Sequence, residues 1–320
     1  MPFRIKVTLY ILLGIAAIAA ILPLLIPVTQ PPDAKPFADV VPANAEITTT
    51  HGIRVHTRTW EGTNEYPVIF AFPSYGFDSV SMRGFGEASP ATVVAIDRPG
   101  FGLTERLRNE TLYTDDTLIE IATDIANERG YTNIIALGHG TGAGPALAFA
   151  ERAPELVTGV VLFAPIQQLG QTRSWFGELA INSPQMRRMG PVLLRPMAHE
   201  AGDVILQNAY EDQALITQER LAEHKAQWQM ENWDFGLWAV THETPHMNVV
   251  AEAARIAQPL LLVHGETDRV MPFEASTELF HARVPEATLA MIEQCGHALG
   301  EECPIPVSNA VTAWLETLEE

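Results

Sequence analysis

The sequence predicts an α/β protein: a mostly parallel central sheet with helices on both faces, a helical lid, and one transmembrane helix in front. Three observations predict it. From about residue 46 onward, short apolar runs rich in β-branched residues alternate with segments of helical periodicity, the pattern of strands buried on both faces. The alternation stops between Ile166 and Gln258, where the patterns are helical only. Val7 to Val28 runs without a charge, about as long as a spanning helix needs to be.

In chain order, "MPFRIK" is short and basic, and "VTLYILLGIAAIAAILPLLIPV" follows it. A cleaved signal peptide would have an apolar region of only ~7–15 residues and then a small-x-small cleavage site. This run is longer and no such site follows, so residues 1–28 are expected to persist as a signal anchor. Arg4 and Lys6 place its N-terminus in the cytoplasm and the body of the chain outside. Residues 29–45, "TQPPDAKPFADVVPANA", are rich in proline and read as a stiff spacer.

Residues 46–166 and 258–320 form the expected core. "EITTTHGIRVHTRTW" alternates like two short strands joined at His51-Gly52. "YPVIFAF" and "ATVVAID" are buried strands. "DDTLIEIATDIANERG" has apolar residues at helical spacing, acids in its first turn and a closing glycine. "TNIIALG" and "VTGVVLFAP" are strands flanking an alanine-rich helix. "QPLLLVHGETD" and "ATLAMIEQCGH" are two more, separated by the helical "PFEASTELFHARV", and "PVSNAVTAWLETLEE" is a last helix. Residues 167–257 are the insertion, expected over the carboxyl ends of the strands. Its Trp175, Trp228, Trp233 and Trp238 and its methionines pack its own core, line an apolar pocket, or both.

Hydrophobic residues make up 47% of the chain, ample for a core. Asp and Glu outnumber Lys and Arg by 39 to 20, a formal charge of −19. Phosphate binding needs basic patches, so no nucleic-acid partner is expected. Charge alone would not hold the body on anionic lipid either; the N-terminal helix is the expected membrane contact. No cofactor and no metal is expected. Cys295 and Cys303 are the only cysteines. Export would let them close a small loop around His297, but sequence cannot give their geometry, and two unpaired thiols stay open as the alternative.

Five motifs then fall in one order. "FPSYGFDS" follows a strand, "AIDRPGFGLTE" ends the next, "GHGTG" lies between strand and helix, and "HGETDRVMP" and "CGHALGEECP" close the last two strands. Together they resemble the α/β-hydrolase fold family, of the esterase and lipase kind, over about residues 46 to 318. In that family a His-Gly-x-Gly usually stands where this chain has Pro73-Ser74-Tyr75-Gly76, and G-x-S-x-G where it has "GHGTG". The resemblance implies Asp268 as the acid, His297 as the base, and oxyanion-hole amides from Tyr75 and Thr141. It puts the nucleophile at Gly140, which has no side chain. Glycine tolerates the strained backbone of such a turn, so the turn can survive while covalent chemistry through it cannot. Gly140→Ser is expected to restore that chemistry if Asp268, His297 and the amides of Tyr75 and Thr141 are still placed for catalysis; no activity after it would favour a binding protein.

The family chemistry so implied is hydrolysis of esters, with a small apolar ester or lipid as the ligand. Several readings stay open. One is a pseudoenzyme that binds a lipid or a protein partner. Another is an enzyme working through His297 and Asp268 without a covalent intermediate. A third is an active esterase whose nucleophile was replaced by substitution. Thr141 and Ser74 are weighed as replacement nucleophiles, each against its expected geometry. "GHGTGA" matches a dinucleotide-binding turn, but several strands precede it and no acid ends the next strand. "HETPH", His242 to His246, matches the zincin pattern, yet Pro245 is poorly tolerated inside the helix that pattern needs, and a solvated helix start is expected. Asp97 reads as structural. His51, His56 and His139 have no acid partner nameable from sequence and are expected in ordinary surface or core roles.

Overall fold

The computed structural model describes residues 3–166, 174–243 and 249–318. Eight strands form one sheet: β1 (Glu46–Thr50), β2 (Ile53–Trp60), β3 (Val68–Phe72), β4 (Val93–Ile96), β5 (Ile134–His139), β6 (Val157–Phe163), β7 (Leu260–Gly265) and β8 (Thr288–Ile292). Their order is β1-β2-β4-β3-β5-β6-β7-β8. β1, β2 and β4 pair antiparallel, and every pairing from β4 through to β8 is parallel. β4, β5 and β7 are buried along their whole length, which is why they read as unbroken apolar runs rather than alternating ones.

Helices cover both faces. α1 (Phe3–Leu25) and the single turn α2 (Phe37–Val40) precede the sheet. α3 (Arg83–Ala88), α4 (Asp115–Arg129) and α5 (Ala143–Arg152) follow β3, β4 and β5. α4 shows why the sequence was readable there. Thr114 caps its N-terminus by accepting from the amide of Thr117, Asp115 and Asp116 occupy the first turn, and Gly130 ends it in the left-handed region at φ 71°. Its buried stripe, Leu118, Ile119, Ile121, Ala122, Ile125 and Ala126, joins the core with α5. The other face is closed by α3 and by the last helix, Pro304–Thr317.

Among the described residues between β6 and β7 lie the helices α6 (Trp175–Ile181), α7 (Pro184–Ala209), α8 (Gln218–Ala226), α9 (Trp233–Glu243) and α10 (Val249–Ala253). After β7 come α11 (Thr277–His281), α12 (Leu299–Glu302) and α13 (Pro304–Thr317). The helix expected over "PFEASTELFHARV" is shorter than its pattern. Ser276, at φ −130° and ψ −89°, separates a turn at Phe273–Ala275 from α11.

α1 is the one described helix long and apolar enough to cross a membrane, over Ile5–Leu25. The proline-rich stretch after it, expected as a stiff spacer, also makes contacts with the rest of the fold. Lys35 forms a parallel bridge with Met230, its amide donating to Gln229 O and its carbonyl accepting from Glu231 N. Phe37 is buried beneath the guanidinium of Arg54. Extended backbone rich in proline is suited to such an edge contact, because its carbonyls stay free to pair. Donors on α7 also reach the end of α1: Gln185 Nε2 to Ala20 O at 2.7 Å, Arg188 Nη2 to Ile26 O at 2.9 Å, and Arg195 Nη2 to Thr29 O at 2.5 Å. Carbonyls at and beyond a helix C-terminus need partners from outside the helix, and here the insertion supplies them.

Candidate active site

The carboxyl ends of β3, β5, β7 and β8 converge. β5 ends at His139, a tight turn spans Gly140–Gly142, and α5 starts at Ala143. Gly140 has φ +52°. A non-glycine residue held there would carry ~1–3 kcal/mol of backbone strain. The approach of the turn is equally demanding at position 142, where a Cβ would run into the carbonyl oxygen of Phe72 on β3.

Asp268 follows β7 and His297 follows β8, and both are buried. Asp268 Oδ2 lies 2.7 Å from His297 Nδ1, while Oδ1 accepts from the amides of Val270 and Met271 at 2.8 Å each. Burial alone would raise the Asp268 carboxyl. The hydrogen bond and charge of His297, with the Met271 amide, outweigh it and hold the group below the ordinary carboxylate range. A carboxylate at Nδ1 fixes the proton there, which leaves Nε2 as a bare acceptor. A Cβ at position 140 would lie 3.5 Å from that Nε2. The imidazole therefore faces the tip of the turn.

His139, for which the sequence suggested no particular role, supports this loop. Its Nε2 lies 3.0 Å from the carbonyl oxygen of His297, so that nitrogen carries the proton and donates. The two rings are 4.6 Å apart between centroids. Burial first, and then the neighbouring His297, push the His139 imidazole down to about 3, so it stays neutral. His264, also unremarked in the sequence, is buried behind Asp268 with Nδ1 bonded to Thr277 Oγ1 at 2.7 Å.

The two expected oxyanion amides are brought together, but each already has a partner. Tyr75 N donates to Thr141 Oγ1 at 2.7 Å, and Thr141 N donates to Ser74 Oγ at 3.3 Å. Ser74 is the side chain that fills the space before Gly140. A Cβ at 140 would overlap Ser74 Oγ and lie 3.1 Å from Ser74 Cβ. A serine at 140 would therefore need the Ser74 hydroxyl to turn aside.

Three further histidines have partners that the sequence could not name, and one of them corrects an expectation. His56 does have an acid partner: its Nδ1 lies 2.7 Å from Asp97 Oδ2, both buried. Asp97 also accepts from the amides of Ser79 and Leu103, at 2.6 and 2.8 Å, and so pins the "DRPGFGL" turn to β2. The pairing is long-range and follows only from strand register, since Thr57 opposes Ile96 across β2 and β4. His51 is partly exposed and lies 3.5 Å from Glu120 and 3.3 Å from Asp124. His242 sits in the last turn of α9, not at a helix start, and bonds Asn182 Oδ1 at 3.0 Å; the rest of "HETPH", from residue 244 on, lies outside the described residues. Cys295 and Cys303 are joined in a disulfide, with Cα atoms 6.1 Å apart. Among the described residues the one grouping of three metal-type donors is Cys295, Glu302 and Cys303, and that disulfide removes its two sulfurs as ligands.

A cavity of about 270 Å³ lies between Tyr75–Phe77 and the insertion. Leu194, Ala198, Leu206, Trp228 and Leu237 supply most of its wall, and Thr241, whose hydroxyl lies 2.5 Å from Tyr75 Oη, is a polar member. Trp228 thus lines the cavity, while Trp233 and Trp238 are buried in packing. Gly140, Ser74 and His297 do not line it; Tyr75 is the link between cavity and site.

An eight-stranded, mostly parallel sheet with an acid and a histidine on its last two carboxyl-end loops defines an α/β-hydrolase-fold protein. Residues 87–304 match the family described as serine aminopeptidase, S33, and the chain belongs to that family. It is 26% identical over 227 residues to an uncharacterized hydrolase, YugF, of Bacillus subtilis, covering 70% of this chain and 80% of that one. Its fold is similar to that of a thermophilic esterase from Thermogutta terrifontis, with TM-score 0.68 and 18% identity over 86% of this chain and 98% of that one. It is also similar to a bacterial membrane phospholipase A, with TM-score 0.66 and 18% identity over 99% of both chains.

Proposed function

We propose that this protein is a membrane-anchored hydrolase of esters with an apolar acyl part, in which His297 and Asp268 move the proton and residue 140 provides no nucleophile. The observation that carries the reading is the buried Asp268–His297 pair, whose bare Nε2 faces the empty tip of the turn. A base in that state supports attack on an acyl carbon and contributes ~10²–10⁴-fold to rate. The apolar cavity beside Tyr75 suits an acyl chain. The anchor reading rests on α1 and on α6, where Trp175, Phe176 and Leu179 are 66%, 63% and 65% exposed. α6 leads into α7, which is bonded to the end of α1, and exposed aromatic residues are favoured at a bilayer surface. The fold likeness to a membrane phospholipase A runs through α1; it adds weight to the anchor, not to a phospholipid substrate. The basic residues Arg4 and Lys6 support an N-terminus in the cytoplasm and a body outside it.

The test is turnover of p-nitrophenyl esters from acetyl to lauroyl by the full chain in detergent. Turnover should rise with acyl length, and His297→Ala and Asp268→Asn should each lower kcat/KM by ~10²-fold or more. One observation favours a second reading, a ligand-binding protein without turnover: both oxyanion amides are already paired. Absence of turnover with every ester would decide for that second reading, and turnover indifferent to His297→Ala would overturn the role given to His297.

A further inference from the structure

We infer that Ser74 is the nucleophile of this protein, an elbow serine relocated onto the opposite loop. The inference rests on the ester-hydrolase reading and deepens it. Two departures from the hydrolase pattern, usually treated separately, meet at one point in space. Serine is absent at 140, where the pattern has it, and present at 74, where the pattern has glycine. The Ser74 hydroxyl occupies the volume that a side chain at 140 would start from, and His297 Nε2 lies 3.5 Å from that same point. With the Ser74 hydroxyl in this rotamer, a side chain at 140 would overlap it, so glycine at 140 leaves the hydroxyl its place beside His297.

The rest of the constellation fits the new position. Ser74 is buried, and its φ is not positive, so its backbone is ordinary for serine. Among the described residues, Ser74 Oγ accepts from Thr141 N but donates to no group, and His297 Nε2 accepts from none. The hydroxyl proton and the open lone pair thus flank one space. In the reaction, the Ser74 proton passes to His297 Nε2 as Oγ bonds the acyl carbon, and the carbonyl electrons move onto its oxygen. Thr141 N stands next to that oxygen, and Tyr75 N joins it when the Thr141 hydroxyl turns away. Collapse breaks the ester C–O bond, and the alcohol leaves with the proton from His297. Water, losing a proton to His297, then releases the acid and returns the Ser74 hydroxyl.

The test uses the full chain in detergent with a fluorophosphonate probe, peptide mapping and ester turnover. The label should map to Ser74. Ser74→Ala should abolish it and lower kcat by ~10³-fold or more while the protein stays folded, with the melting temperature lowered only by the loss of the Thr141 amide's acceptor. Gly140→Ser should not add a label at 140, whereas Ser74→Gly with Gly140→Ser should move it there. Ser74→Cys supplies a readout independent of turnover: the introduced thiol should be alkylated at pH 6.5 at least 10-fold faster than after His297→Ala, because an adjacent imidazole favours thiolate. Turnover that survives Ser74→Ala, without a label, would overturn the Ser74 assignment and leave the hydrolase reading with water as nucleophile. A label mapping to Thr141 would overturn it too. Neither label nor turnover in the unaltered chain would overturn both.

Discussion

Gly140→Ala isolates the physics of the tip without adding chemistry. At φ +52° the substitution should destabilise the fold by ~1–3 kcal/mol through backbone strain alone, and the new Cβ would also overlap Ser74 Oγ. Ser74→Gly removes the overlap but not the strain, so the cost of Gly140→Ala should be smaller in that background. A double-mutant cycle by chemical denaturation should give a coupling of ~0.5–3 kcal/mol; strict additivity would mean the two side-chain volumes do not meet. At this scale the sequence was a partial guide. Asp268, His297 and Gly140 could be placed because the motifs around them resemble those of the α/β-hydrolase family, each beside a recognisable strand end. The contact of Ser74 with position 140 could not, because it joins loops 66 residues apart through a side-chain direction that no local pattern encodes. The His56–Asp97 pair was hidden for the same reason, lying across strands whose register only the folded sheet reveals.

The elements themselves were more legible. Each of the eight strands has a local cause in its apolar or alternating run, and α4 carries its own caps. What escaped was tertiary: the docking of Lys35 on the insertion and of Phe37 under Arg54, and the short α3 and α12, whose glycines and few residues give no period to detect. α12 lies inside the loop closed by Cys295 and Cys303, which also carries His297. Cross-linking residues eight apart restricts the unfolded chain by about 2–3 kcal/mol in the loop-entropy model. Replacing both cysteines with alanine should therefore lower the melting temperature by roughly 5–10 °C, and alkylation of the unfolded, unreduced chain should label neither residue. Labelling of both would show that the loop is held by packing against α3 instead.

Across the whole molecule, a line of buried ionisable groups joins the sheet to the insertion. It runs from His56 and Asp97 through Asp78 to His224 of α8 and Glu301 of α12; His224 Nε2 lies 3.1 Å from Glu301 Oε2, and Tyr210 also bonds that carboxylate. Asp78 is the group under most stress. Burial, and then the nearby charge of Asp97, push its carboxyl up to about 7, with His224 and the Val80 amide opposing. His56 and His224 are also raised: burial lowers them, but Asp97 and Glu301 respectively outweigh it. A group with a raised folded pKa holds its proton more tightly when folded, so its stabilisation fades as pH rises through the folded value. Above about pH 6.5 these groups dominate, and stability should fall as pH climbs through 7. Below that, His139 and His264, both lowered chiefly by burial, gain protons on unfolding and reverse the slope. Asp97, Asp268 and Glu301, all held low by their histidine partners against burial, add to that loss near pH 4. Glu252, pushed up to about 7 first by burial, adds to the fall toward neutral pH, so the melting temperature should drop between pH 6 and pH 8. Asp78→Asn keeps the side-chain oxygen that accepts from Val80 N at 3.0 Å and removes the titration. It should shrink the fall between pH 6 and 8 by a few degrees, of the order of 1 kcal/mol at this size, and make the acid side steeper, because the neutral carboxyl no longer offsets the histidines there. Melting curves at pH 4, 6 and 8 for both chains check this; an unchanged difference between pH 6 and 8 would show that Asp78 is already ionised in the native fold.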